Sequence, residues 1–241
     1  MCPARACARR GFPIECEERT RCNRLELTPL GAAGSIGAFR SAEEVLVSDP
    51  EVRVAQASEK DAVLNALMLA FSGDPCLRYV LDTPDKLLKG FHAFAGAMGG
   101  AALDHGAAWL AEDAAAAALW LPPGVSSDRD GMMAVIGQLA REEKLPVLAE
   151  VGEAIAGHHP QEPHWYLAMI GVDPARQGRG YGSAILRESL RRCDEEGVIA
   201  YLESSNPKNV PLYERYGFEV VGFVQPGDFP GVHPMVRQPR R

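Results

Sequence analysis

The chain has no uninterrupted apolar stretch long enough to cross a bilayer, and its longest alanine-rich run, Ala114–Pro122, is only strand-sized. No membrane association is therefore expected. It also lacks a basic excess. The formal net charge is -7, which argues against a dedicated nucleic-acid binder. None of its six cysteines (Cys2, Cys7, Cys16, Cys22, Cys76, Cys193) stands at CxxC spacing, and no histidine follows at zinc-finger distance. The expectation is no metal and a set of free thiols in a cytoplasmic protein. The cluster of four in the first 22 residues leaves zinc or redox chemistry as the alternative. The opening residues carry Arg5, Arg9 and Arg10 without a secretory apolar core, and Glu15, Glu17 and Glu18 speak against a transit peptide. No internal repeat is visible.

What is present is an ordinary soluble composition, 46% hydrophobic and 24% charged over 241 residues. That suffices for one large domain or a domain with an appendage. Residues 1–50 show no periodicity and read as a poorly ordered extension; a compact pattern begins at Glu51. Val52–Ala57 alternates like a strand. Ser58 and Asp61 form a capping pattern ahead of a helix over Ala62–Phe71, stopped by Gly73-Asp74-Pro75. A second helix is predicted over about Asp85–Asp104. Ala107–Ala111 and Ala115–Leu121 suit a hairpin. Asp130 to Ile155 is helical with a break at Pro146. Glu162–Val172 is a strongly apolar run without clean alternation, as in a strand buried on both faces. Then come a helix (Gly182–Glu196), a strand (Ile199–Glu203), a short helix (Pro211–Tyr216) and closing strands (Phe218–Val224, Val232–Val236).

The most informative stretch is VDPARQGRGYGSAIL, Val172–Leu186, in which Gly178, Gly180 and Gly182 directly precede a helix. A helix N-terminus offers free N–H groups and a partial positive charge, so it binds anions. Glycines let successive N–H groups converge on a phosphate without Cβ obstruction. Arg176 and Arg179 add local positive charge to an acidic chain. The reading is a phosphate or pyrophosphate cradle; a mobile turn with a helix cap is the plainer alternative. A Walker loop is excluded because no lysine is present, and a dinucleotide fingerprint because its third glycine would be Ser183.

The pattern that fits is Q-x-x-G-x-G at Gln177, Gly180 and Gly182, preceded by Val172-x-Pro174. It resembles the acyl-CoA pyrophosphate loop of the GNAT acetyltransferase superfamily. AYLESSNPKNVPLYERYGFEV, Ala200–Val220, resembles that superfamily's closing strand-loop-helix. EPHWYLAMIGVDPARQGRGYGSAI and the hairpin GAAWLAEDAAAAALWLPPGV resemble the puromycin N-acetyltransferase group within it. The likeness runs from about residue 51 to the C-terminus.

The resemblance implies an α/β (α+β) fold around a splayed, mixed, mostly antiparallel sheet flanked by helices. Two central parallel strands would separate to admit the pantetheine arm of acetyl-CoA, the co-substrate. Backbone groups of Ile170, Gly171 and Val172 would pair with the pantetheine amides. N–H groups of Gln177, Gly178, Arg179, Gly180, Tyr181, Gly182 and Ser183 would hold the pyrophosphate. Asn206 stands where many relatives contact the cofactor, and Tyr213 at the position that protonates the departing thiolate. The partner it implies is a small-molecule amine acceptor, with the chain a monomer or homodimer.

The chemistry has its own requirements. An amine attacking a thioester gives an oxyanion, which needs N–H donors such as an opened strand end near Ile170–Val172 supplies. The amine must lose a proton, and the thiolate must gain one. Tyr213 is the candidate acid and Glu203, at the end of its strand, the candidate base. A packed core tyrosine and a solvated or ion-paired glutamate are the bland alternatives. His158 and His159 read as surface histidines in a loop. His164 and Trp165 line an acceptor site, unless Trp165 is core. Cys193 falls on a buried helix face, and Glu188 with Arg192 forms a solvent-side pair. A CoA-binding module without turnover and a protein N-acetyltransferase are the rival functions.

Overall fold

The computed structural model describes residues 49–240. All but the last two residues of the extension read over 1–50, with Cys2, Cys7, Cys16 and Cys22, lie outside the described residues. Seven strands form one sheet: β1 (Val52–Val54), β2 (Ala108–Ala111), β3 (Ala116–Leu121), β4 (His164–Val172), β5 (Ile199–Ser204), β6 (Phe218–Val220) and β7 (His233–Arg237). Their order is β1-β2-β3-β4-β5-β7-β6. Every neighbouring pair is antiparallel except β4 and β5. This is the mixed, mostly antiparallel GNAT-like sheet that the resemblance implied.

The helices are α1 (Lys60–Phe71), α2 (Pro75–Val80), α3 (Pro84–Gly99), α4 (Arg129–Leu139), α5 (Leu145–Ala156), α6 (Tyr181–Glu196) and α7 (Val210–Arg215). Successive strand residues point to opposite faces, and two neighbours on β4 show where the helices lie. At Gly171 a side chain would run into Ala70 and Phe71 of α1; Val172, one residue on, faces Gly182 of α6. So α1 and α6 cover opposite faces. All six residues of β3, Ala-Ala-Ala-Leu-Trp-Leu, are buried between these layers. Its alanines let the helices approach closely, and the core spreads outward from Phe91, Leu119, Trp120, Ile185 and Tyr201.

Several boundaries differ from the sequence reading, each for a local reason. Asp74 does not only end α1: its carboxylate accepts from the Leu77 N–H at 2.9 Å and opens α2, with Pro75 in the first turn. Thr83 and Pro84 do the same for α3. Pro146 lies in the first turn of α5 rather than at a break, which falls earlier, after Leu139. The Ser58/Asp61 cap is not used. Glu59 instead accepts from the Gln56 N–H at 2.9 Å, in a short 3₁₀ turn before α1. The strand expected over Phe218–Val224 stops at Val220, and Val224 forms a single bridge to Val232.

Candidate active site

The site is built around the one parallel pair. The β4–β5 ladder runs from His164–Ile199 to Leu167–Leu202 and ends there. β4 continues to Val172, paired only with β3. At this point the β3–β4 register slips: Leu119 faces Met169 and Trp120 faces Leu167, so Ala168 is the extra residue of a bulge. A bulge bends its strand and increases twist, which turns β4 away from β5. The edge of β4 from Ala168 to Val172 is thus left without a strand on the β5 side, and Ile170, Gly171 and Val172 lie along it. An unpaired edge offers N–H and C=O groups to an extended ligand.

The edge leads into the glycine-rich loop. Asp173 accepts from the Ala175 N–H, and the Gln177 side chain donates to the Val172 carbonyl at 3.4 Å, folding the loop back on the strand. Gly178 (φ +75°) and Gly180 (φ +88°) take the left-handed conformation that side chains resist, and nothing lies within 4 Å of where their Cβ atoms would stand. Gly180 is the residue before α6, and no side chain caps that helix. The first N–H groups of α6, from Tyr181, Gly182 and Ser183, are therefore left as unclaimed donors. Tyr181 is itself fixed, its buried hydroxyl donating to Glu112 at 3.0 Å. Arg179 is exposed beside them. An uncapped helix end, a loop with room for an anion and adjacent guanidinium groups fit a pyrophosphate.

α7 closes the same end. A Cβ at Gly182 would stand 3.8 Å from Leu212, and the Tyr216 hydroxyl donates to the Ser183 carbonyl at 2.9 Å. Tyr213, on that helix, is 6% exposed, its ring edge-to-face with Phe218. Burial, and then the Asp74 carboxylate, push its phenol well above the ordinary value, so it holds its proton at neutral pH. Asp74 is held by Ser205, two residues beyond Glu203. Asn206 caps the short turn Pro207–Asn209, its side-chain oxygen accepting from the Lys208 N–H at 3.1 Å. The side-chain oxygen of Asn206 is therefore engaged, and its amide NH₂ is the group left to offer.

On the α1 face lies a cluster that the sequence did not foretell. Glu203 is the first β5 residue beyond the last ladder pair, and its side chain is 8% exposed. It is neither solvated nor held by lysine or arginine. The Tyr166 hydroxyl donates to Oε2 at 2.8 Å, and His159 Nε2 stands 3.2 Å from Oε1. His159 packs against Tyr166 and Tyr201, with ring centroids 5.0 and 4.5 Å away. Burial, and then Glu203, push the phenols of Tyr166 and Tyr201 well above the ordinary value. His159, read as a surface residue, is thus half-buried on the candidate base. A signal was available: three histidines, His158, His159 and His164, fall within seven residues beside the buried strand. His164 joins this cluster. Trp165 does not; it is core, 2% exposed, its indole N–H bonded to Glu196.

Two other expectations meet the structure elsewhere. Cys193 is buried, its thiol pushed up to about 12 mainly by burial, which suits a packing residue. Arg192 pairs with Glu196 rather than with Glu188, which approaches Arg191. Among the described residues no group of three metal-ligating side chains gathers, and no helix is long and apolar enough to cross a membrane.

The comparisons agree with this geometry. Residues 114–218 match the model of the acetyltransferase (GNAT) family. An uncharacterized N-acetyltransferase of Schizosaccharomyces pombe is 33% identical over 119 residues, 44% of this chain and 48% of its own. A mycothiol acetyltransferase of Streptomyces avermitilis is 35% identical over 123 residues, 46% of this chain and 39% of its own. The chain thus spans about half the length, or less, of the curated relatives it matches. A solved structure described as a histone acetyltransferase HPA2 and related acetyltransferase, from Corynebacterium glutamicum, superposes with TM-score 0.57 at 24% identity, covering 80% of this chain and 98% of that one. A Drosophila melanogaster polyamine N-acetyltransferase gives 0.55 at 15%, covering 79% of this chain and all of that one (100%). The family model thus matches residues 114–218, and the superposed structures share the fold.

Proposed function

We propose that this chain transfers an acetyl group from acetyl-CoA to a primary amine of a small molecule by direct attack. The observation that carries the reading is the continuity of the opened β4 edge with the uncapped N-terminus of α6. One holds amides and the other a pyrophosphate, in the order in which they occur along CoA. Ile170, Gly171 and Val172 align the pantetheine arm. Gln177 to Ser183 take the pyrophosphate, with Asn206 contributing its amide NH₂. N–H groups of the β4 edge stabilise the oxyanion that forms when the amine attacks the thioester carbonyl. Glu203 takes the proton that the ammonium must lose, directly or through water. Tyr213, kept neutral by its buried site, gives a proton to the departing thiolate. The small-molecule acceptor is favoured by the name of one superposed neighbour, a Drosophila melanogaster polyamine N-acetyltransferase.

A panel of small amines, peptides with free N-termini and lysine peptides, each incubated with acetyl-CoA while free thiol is followed, tests the reading. Acceptor-dependent thiol release with one or more small amines is the expected result. Release with peptides alone would make the chain a protein N-acetyltransferase. Tight acetyl-CoA binding without release on any acceptor would make it a binding module.

A further inference from the structure

Glu203 poses a problem for turnover. Each acetylation of an ammonium leaves one proton behind, and a carboxylate only 8% exposed has little water to lose it to. The structure offers a route through histidines. His159 Nε2 lies 3.2 Å from Glu203 Oε1, and its Nδ1 lies 3.3 Å from His164 Nε2. His164 Nδ1 lies 2.9 Å from the Glu162 carbonyl, in an exposed stretch. The chemistry fixes the direction of these bonds. A carbonyl only accepts, so His164 Nδ1 carries the hydrogen and its Nε2 is the acceptor. His159 Nδ1 then donates to it, which turns His159 Nε2 toward the carboxylate with a free lone pair. Glu203 Oε1 is buried and accepts no aligned hydrogen bond. One proton can therefore sit on Oε1 or on Nε2, with little movement of either side chain.

We infer that His159 and His164 form a proton relay that empties Glu203 to solvent after each turnover. The inference rests on the acetyl-transfer reading, in which Glu203 is the base. The balance is one proton per cycle. The ammonium N–H bond breaks and the Glu203 carboxyl gains the proton. Oε1 releases it to His159 Nε2, His159 Nδ1 passes its own proton to His164 Nε2, and His164 Nδ1 releases one to bulk water. Exchange with water restores the starting tautomers: each ring gains a proton at Nδ1 and loses one from Nε2, with no net transfer. The groups facing His159 are Glu203, His164, Tyr166 and Tyr201. The two phenols hold their protons at neutral pH and frame the path without joining it. His159 and His164 are thus positioning and relay residues, not groups that touch the acceptor.

The test is His159→Asn, assayed with an amine that the wild type accepts, at low and high concentrations of a small buffer base such as imidazole. The expected kcat at low buffer is about tenfold below wild type, a smaller loss than removal of a direct acid or base gives. KM for the amine and Kd for acetyl-CoA should stay within about twofold, and added imidazole should restore much of the rate. His164→Asn should give a milder version. As a readout independent of turnover, NMR titration of the histidine side chains should show the His159 midpoint moving in Glu203→Gln. Wild-type kcat in His159→Asn, or a loss that no buffer base rescues and that comes with a lowered melting temperature, would overturn the relay. A wild type that acetylates no amine would instead overturn the reading on which the relay stands.

Discussion

The two sides of the gap between β4 and β5 are made in different ways. The proposed cofactor side is a contiguous run, Ile170 to Ser183, built of backbone: an open strand edge, two glycines at positive φ and the N-terminus of α6. The proposed acceptor side is made of side chains that the fold gathers from afar: His159, His164, Tyr166 and Glu203. Backbone devices demand specific residues at fixed offsets, so they are written locally. Side-chain constellations depend on register and crossover, so they are not. The contrast makes a prediction about mutants. Cofactor-side changes should act on acetyl-CoA affinity, and acceptor-side changes on turnover.

The largest expected effect belongs to Tyr213, the proposed acid on α7. Tyr213→Phe keeps the ring against Phe218 and deletes only the hydroxyl. Single-turnover acetylation should fall about 10²- to 10⁴-fold, with acetyl-CoA affinity nearly unchanged. Equal rates in mutant and wild type would assign the proton to another donor.

Next is a change that should touch neither side. Arg237 is 3% exposed, and its guanidinium makes two bonds to Asp194, of 2.7 and 2.8 Å. Burial works to raise the Asp194 carboxyl, but bonds from Arg237 and the Arg240 N–H outweigh it and hold it below the ordinary value. Asp194→Asn strands a buried cation, and should cost about 3 kcal/mol in denaturant unfolding. A carboxyl depressed in the folded state adds stability above its unfolded pKa, about 3.9, and loses it as pH falls through the folded value. Wild-type stability should therefore drop as pH is lowered below about 4, and Asp194→Asn should lack that part of the drop. Acetyl-CoA affinity should not move in either case.

A smaller effect is expected in the cradle. Gly180→Val forces a branched side chain into φ +88° at the start of α6. Acetyl-CoA affinity should fall at least about tenfold, roughly 1.4 kcal/mol by calorimetry, while the KM for the amine changes little. A loss confined to turnover would erase the distinction between the two sides. The smallest effect is none at all. Deleting residues 1–48 should leave melting temperature, acetyl-CoA binding and turnover as they were. A zinc content near one per chain that disappears with the deletion would give the four early cysteines a role instead.

The same contrast explains what the sequence could and could not show. The hairpin over Ala108–Leu121, the buried strand β4 and the loop-to-α6 junction are local, and were readable to within a residue or two. The α2 helix was not, because Gly73-Asp74-Pro75 reads equally as a stop and as a start, and only packing decides. The bulge at Ala168, which opens the sheet, leaves no mark in a run as apolar as WYLAMIGV. Glu203 was visible as a strand-end carboxylate. Its partners were not, since Tyr166 reaches it across the parallel ladder and His159 from the segment after α5.

The claim most exposed to failure is that the β4 edge and the α6 N-terminus together receive acetyl-CoA. Residue-resolved amide hydrogen exchange, with and without saturating acetyl-CoA, tests it directly. The account predicts slowed exchange at the outward-facing amides between Ala168 and Val172 and at Tyr181, Gly182 and Ser183, with β6 and β7 unchanged. Protection that falls elsewhere and leaves both segments exchanging at their free rates would contradict it.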